Sequence, residues 1–323
     1  MSSYPTSSSA SGIWQLGDIP LFIQDGAWPA ALVGDIAIFM GGINPAQVNT
    51  IDYVLFQSEG NSKDFGDLLT ATYGGAGCSS TTRGIYGGGN PGTITNVIQF
   101  LNFVSKQNTV DFGDLTQVSR AFSGASNTTR GLFGGAFPNA TIGNVIEFIT
   151  TATAGNATDF GDLTQARLGT FGLASPSRAV FAGGANPANQ NTIDFVTIAS
   201  AGNAQDFGDL TNARNPSGES AGSSSTRGIF GGGGTPTKVN TIDYITIASA
   251  GNAIDFGDLT QEKTAVAQTS NSIKNFFGGG NTGSLSNVLE KVTIASTSNA
   301  TDFGDLFTAS YIQAVSNSNG GLT

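Results

Sequence analysis

The 323-residue sequence contains no histidine, and that absence removes several chemistries at once. An imidazole general base, a Ser-His-Asp triad and a His-ligated metal are all excluded. Cysteine occurs once, at Cys78, so the chain forms no internal disulfide and no thiolate zinc cluster. Charge is scarce: 11% of residues are charged, under half the usual share of about 25%. Of these, 13 are basic and 23 acidic, for a formal charge of −10. A groove for a nucleic-acid backbone would need a local reversal of that sign, so no nucleic-acid partner is expected. No apolar run approaches the roughly 18 residues of a membrane span. The opening segment MSSYPTSSSASG has neither the basic start nor the apolar centre of a signal peptide, and synthesis in a cytosol is expected.

What the sequence has is glycine and phenylalanine. Glycine numbers 46, about twice the usual share, and phenylalanine 22 against two tryptophans and two methionines. Ser, Thr, Asn, Ile and Phe dominate where helical proteins use Leu, Glu, Lys and Ala. This composition points to an all-β fold with many turns.

The decisive feature is a repeat. The word DFGDL occurs six times, at Asp64–Leu68, Asp111–Leu115, Asp159–Leu163, Asp206–Leu210, Asp255–Leu259 and Asp302–Leu306, with spacings of 47, 48, 47, 49 and 47 residues. A period in this range marks a propeller or a related array. Each unit carries an apolar run ending in glycines, as in Arg83–Gly89 and Arg227–Gly234, then a β-rich segment such as Asn191–Phe195, a small polar turn, and DFGDL. This gives four short strands per unit, and the sequence predicts a six-bladed β-propeller. The first unit begins abruptly at its second strand, near Asp35–Gly42. The last runs on into Phe307–Ser318, which is expected to supply the missing innermost strand of the first blade and so to remove an open edge. The propeller is assigned to 34–323, and 1–33 to a leader whose apolar residues, Trp14, Phe22 and Trp28 among them, suit it to anchoring on a partner.

Three repeated features bear on chemistry. The paired aspartates of DFGDL invite a calcium site, but they are spread around a ring, and the expected role is structural: the first Asp caps a turn while Gly takes a positive φ. The stretches Gly87–Gly92 and Gly278–Gly283 match G-x-G-x-x-G but precede β-rich segments, where no helix N-terminus opens to hold a pyrophosphate; close packing of crowded inner strands is the expected use, and no cofactor is expected. A basic residue recurs at Arg83, Arg130, Arg178, Arg227 and Lys274, with Ala37 in the first unit. Such a ring could hold an anion, but repetition in five units favours structure, with each cation bonded to a neighbouring DFGDL aspartate.

The run RGIFGGG…NTIDYITI…DFGDLT…AR resembles the kelch repeat, which also ends its second strand in paired glycines and continues with an apolar third strand. Kelch units carry a tryptophan in the fourth strand; here the DFGDL phenylalanine stands in its place at a different spacing. Asn240–Thr260 and Ser223–Gly233 are more closely similar to kelch-like repeat proteins of tailed bacteriophages, especially of marine and cyanobacterial hosts. Ala10–Pro29 resembles the N-terminal segment of phage tail and fibre proteins. The resemblance implies a non-enzymatic virion protein of a tail or fibre, held to other virion proteins through its leader. The loops after the glycine clusters differ most between units, and Asn44, Asn90, Asn139, Asn186, Thr235 and Thr282 mark a candidate ligand face for a host surface glycan or outer-membrane protein. The alternatives are an architectural capsid-decoration or tail-cement role and a carbohydrate-active propeller enzyme, for which no acid pair stands apart from the repeat.

Overall fold

The structure, a computed structural model, describes residues 35–138, 143–217, 220–307 and 311–318. Among them are twenty-four strands, no helix, and six four-stranded antiparallel sheets in a ring. The chain is a six-bladed β-propeller. Its leader, with Trp14, Phe22 and Trp28, lies outside the described residues, as does Asn139.

Innermost are Gln313–Ser316, Ala76–Ser79, Ser123–Ser126, Phe171–Ala174, Gly222–Ser223 and Ala267–Ser270, for blades 1 to 6 in turn. The closing strand behaves as the sequence predicts: Gln313–Ser316 pairs antiparallel with Ile36–Met40, Val315 opposite Ile38. In blades 2 to 6 a Ser or Asn one residue past the inner strand accepts backbone N–H bonds across a tight turn, as Asn127 does from Arg130 at 2.9 Å. In blade 1 that turn is absent, and Asn317 Oδ1 instead accepts from Ile36 N at 2.9 Å. The same polar device thus joins two chain segments 281 residues apart.

The axis is filled. A methyl group on Gly124 would overlap the Gly77 carbonyl, and one on Gly172 the Gly124 carbonyl, so neighbouring inner strands approach to backbone distance. Buried serines cross between blades: Ser79 N donates to Ser126 Oγ, Ser270 Oγ to Ser223 O, and Ser316 Oγ to Ser270 O. Ser220 Oγ lies within bonding distance of both Gln268 O and Ala314 O, tying blades 5, 6 and 1 together.

Second strands are buried on both faces, which is why they read as unbroken apolar runs rather than as alternation. The glycine cluster that ends them divides into two uses, neither at the axis. Its first glycine seats an aromatic of the next blade: Gly87 lies under Phe133, Gly134 under Phe181 and Gly278 under Phe39. Its next two turn the chain, as at Gly183 and Gly184, with φ of 64° and 97°. There a side chain would be strained and would meet the Arg214 or Leu168 carbonyl.

Candidate functional site

The DFGDL word is a clasp between blades. In all six third-to-fourth strand pairs the register slips before the third strand's acidic or amide residue, so that the DFGDL phenylalanine is the extra residue of a bulge. Its glycine, φ 146° at Gly161, then lies against the outer turn of the next blade, where a Cβ would sit 2.5 Å from the Gly202 carbonyl. Gly202 N donates to Phe160 O and Ala204 N to Asp162 O. The turn asparagine closes the clasp: Asp162 N donates to Asn203 Oδ1 at 3.1 Å. The same bond recurs at Asn61, Asn108, Asn156, Asn252 and Asn299. The outer edge of each blade is thereby occupied by its neighbour. The phenylalanines are buried between blades; Phe160 is 2% exposed. The first aspartate of each word is exposed and makes no capping bond among the described residues, a correction to the expected turn cap. No group of three or more metal-ligating residues occurs among the described residues.

The basic ring is structural in a different way from that expected. Arg83 Nη1 donates to Thr151 O, Arg130 Nη1 to Ile198 O, Arg178 Nη1 to Ile247 O, Arg227 Nη1 to Ile294 O, and Lys274 Nζ to Phe56 O, at 2.7–3.0 Å. The acceptor is a carbonyl at the end of the next blade's third strand, not a DFGDL aspartate. The aspartates sit on the outer strand, beyond the reach of a residue that opens the second. The four arginines also lie over the aromatic of their own third strand, 4.4–4.9 Å from ring centroids of Phe100, Phe148, Phe195 and Tyr244. In blade 6 Lys291 stands in place of that aromatic and pairs with Glu59 of blade 1. In blade 1 the register sets Ile36, not the expected Ala37, opposite the end of the third strand where the other blades carry the cation, and Lys106 of blade 2 reaches Tyr53 instead, over its ring and 2.7 Å from its hydroxyl. Each arginine thus gives one nitrogen to the neighbouring blade and lays its plane on a ring of its own.

A second column escaped the sequence reading. The fourth residue of the β-rich segment, Asp52, Gln99, Glu147, Asp194, Asp243 or Glu290, is buried in every blade. The arm that follows DFGDL in the preceding blade reaches it. In blades 4 to 6 that arm ends in a buried cation, giving Arg167–Asp194 at 3.0 Å, Arg214–Asp243 at 2.8 Å and Lys263–Glu290 at 2.8 Å. Threonine at the start of the arm adds backbone and hydroxyl bonds, as Thr164 does to Asp194 and Thr211 to Asp243. The guanidinium of Arg167 is pulled down from its ordinary value by burial, which the Asp194 carboxylate opposes. The signal was present as T-x-x-Arg/Lys after DFGDL, but nothing in one sequence marks an acid some thirty residues on as its partner.

Blades 1 to 3 break the pattern. Glu147 accepts from Thr116 N at 2.7 Å, but Ser119 stands where the arm's cation would be, and burial pushes the Glu147 carboxyl above its usual range. The space left there, beside Ser119, Phe122 and Phe133, is about 10 Å³, room for one water. In blade 2 the acid is Gln99 and the arm ends in Thr72. A cavity of about 240 Å³ opens between them, lined by Leu69, Thr70, Thr72, Gly88, Pro91, Thr95, Val97 and Gln99. In blade 1 Asp52 accepts from Phe307 N at 2.9 Å and from Ser62 Oγ at 3.3 Å. Cys78 is buried, and burial pushes its thiol up, away from the reactive thiolate.

The variable loops and the arms share one face, joined by bridges such as Tyr73 with Asn90 and Leu168 with Ala185. The loops are short and internally bonded: Asn44 N donates to Ala46 O, Asn186 N to Ala188 O, Thr235 N to Thr237 O and Thr282 N to Ser284 O. Asn44, Asn186 and Thr282 are exposed at their tips; Asn90 and Thr235 are partly covered. Among known proteins, no family model and no curated sequence matches this chain.

Proposed function

We propose that this chain is a non-catalytic virion protein of a tailed bacteriophage, its propeller a rigid adhesion module in the tail or fibre and its leader, through Trp14, Phe22 and Trp28, the attachment to other virion proteins. One observation carries the reading. The groups that repeat from blade to blade, the clasps, the basic ring and most of the buried acids, are spent on bonds within the ring, while variation gathers in loops on one face. The five loops that lie wholly among the described residues are stiffened by their own backbone bonds, the arrangement of a scaffold that displays short recognition segments. The tightly filled axis favours display over chemistry at a central pocket, and the resemblance of the repeats and of Ala10–Pro29 to phage tail and fibre proteins supplies the setting.

The test is made on particles and on host cells. Particles whose copy lacks 1–33 should carry the chain at strongly reduced occupancy, and Trp28→Ala should weaken attachment, because a buried tryptophan is a common interface anchor. Purified full-length chain should bind host cells and slow adsorption of the particle. Normal occupancy without the leader would refute the anchoring role. A lattice position on the head, with no binding to cells, would replace adhesion by the architectural role.

A further inference from the structure

The cavity of blade 2 occupies a position that the fold elsewhere fills with an ion pair. In blade 4 the Arg167 side chain runs past Gly184 to reach Asp194, and in blades 5 and 6 Arg214 and Lys263 run past Gly233 and Gly280 to Asp243 and Glu290. The same line in blade 2 starts at Thr72, whose Oγ1 lies beside Gly89, and ends at Gln99. Two complementary changes have occurred there together, loss of the cation and neutralisation of the acid. Losing only the cation, as at Glu147, leaves room for a single water; at Thr72 and Gln99 about 240 Å³ is open on the loop face.

The polar groups of this cavity are not at rest. Thr72 is 1% exposed, and its hydroxyl has no hydrogen-bond partner. Such a group costs free energy unless something outside the chain satisfies it. Gln99 is 3% exposed. Its Oε1 is committed, accepting from Leu69 N at 2.8 Å and from Thr109 Oγ1 at 2.6 Å. Its Nε2 has no acceptor among the described residues, and the amide orientation is fixed by the two donors that face Oε1. The cavity therefore offers the Gln99 N–H donor against apolar walls from Leu69, Pro91 and Val97, with the unpartnered Thr72 hydroxyl covered beneath its surface. No lining residue is charged. An ammonium would find no carboxylate there and a carboxylate no cation.

We infer that this cavity is a subsite for a neutral acetamido group, as carried by an N-acetylhexosamine. The acetamido carbonyl accepts from Gln99 Nε2 and its methyl packs on the apolar walls, while a rotation of the Thr72 side chain brings Oγ1, covered in this structure, to the acetamido N–H. The volume suits one such group rather than a long chain, since whole ligand pockets run from about 300 Å³ upward. The inference deepens the adhesion reading and rests on it only for where the sugar comes from, a cell-surface glycan.

The probe is N-acetylglucosamine, titrated into the full chain by calorimetry and followed by saturation-transfer NMR. A single-subsite ligand is expected to bind with a dissociation constant of roughly 1 mM. Glucose, which lacks the acetamido group, and glucosamine, which is cationic, should bind at least tenfold more weakly. The double variant Thr72→Arg with Gln99→Asp rebuilds the blade 4 pair in the cavity and should abolish binding while keeping the thermal transition. Thr72→Val, nearly isosteric, should weaken binding severalfold. No binding of N-acetylglucosamine at about ten times the expected constant would overturn the proposal, as would equal binding of glucose or unchanged binding by the double variant. Undiminished host-cell binding by a double variant that has lost N-acetylglucosamine would leave adhesion standing and overturn this subsite as its source; N-acetylglucosamine binding by the parent chain with no binding to host cells would leave the subsite standing and overturn adhesion.

Discussion

Truncating Phe160 to alanine should cost about 3–5 kcal/mol, the range for removing a buried phenylalanine from a core that relaxes only in part. The ring is 2% exposed and sits in a cluster drawn from two blades, with Ile146 and Leu163 on one side and Val196 and Ile198 on the other. It meets Phe148 edge-on, with centroids 5.7 Å apart at 79°, and Phe148 is in turn covered by Arg130. The loss therefore falls on the blade 3 to blade 4 interface rather than within one sheet. For the unit Gly34–Thr323, about 290 residues, an unfolding entropy of ~2.1 cal/mol/K per residue gives ~0.6 kcal/mol/K, so the melting temperature should drop by roughly 5–8 °C. Urea unfolding followed by tryptophan-independent far-UV circular dichroism measures the free energy, and a thermal scan the shift. The neighbouring Asp159 is exposed, and Asp159→Ala should stay within about 0.5 kcal/mol of the parent. A loss below about 1 kcal/mol for Phe160→Ala, or an equal loss for Asp159→Ala, would refute the clasp.

Other consequences are as direct. Arg214→Met should destabilise by about 3–5 kcal/mol, because it leaves Asp243 buried without its cation, and adding Asp243→Leu should recover most of that in urea unfolding. Glu147→Gln should leave stability unchanged near pH 4 and raise it at pH 8. The raised carboxyl holds its proton more tightly in the folded chain than in the unfolded one, so the parent loses stability as pH rises from the ordinary carboxylate range, and the amide does not; the difference between the two unfolding curves across pH reports it. Ending the chain before Tyr311 should remove the closing strand, with buried Ile312, Ala314 and Val315, and lower the melting temperature by well over 5 °C; a shift under about 2 °C would show that the ring does not depend on that closure.

The number of blades and the place where the ring closes were legible in the sequence, because one five-residue word marks every unit and because its first and last units are incomplete in complementary ways. The burial of the DFGDL phenylalanines was legible for the same reason: a large apolar residue kept at one repeat position has a repeated cavity to fill. The partners of repeated polar residues were not. Arg130 and the DFGDL aspartates recur with the same period, so spacing alone pairs them, yet the arginine opens the second strand and the aspartates lie on the fourth, and only the ring brings the Ile198 carbonyl of the next blade to the guanidinium. The pair Arg214–Asp243 was hidden likewise, since a contact between blades leaves no local pattern. The cavity at Thr72 and Gln99 is a departure from that unseen pairing. In the sequence it is one threonine and one glutamine; it becomes a site only when the tertiary structure sets them at the two ends of a line that three other blades fill with a salt bridge.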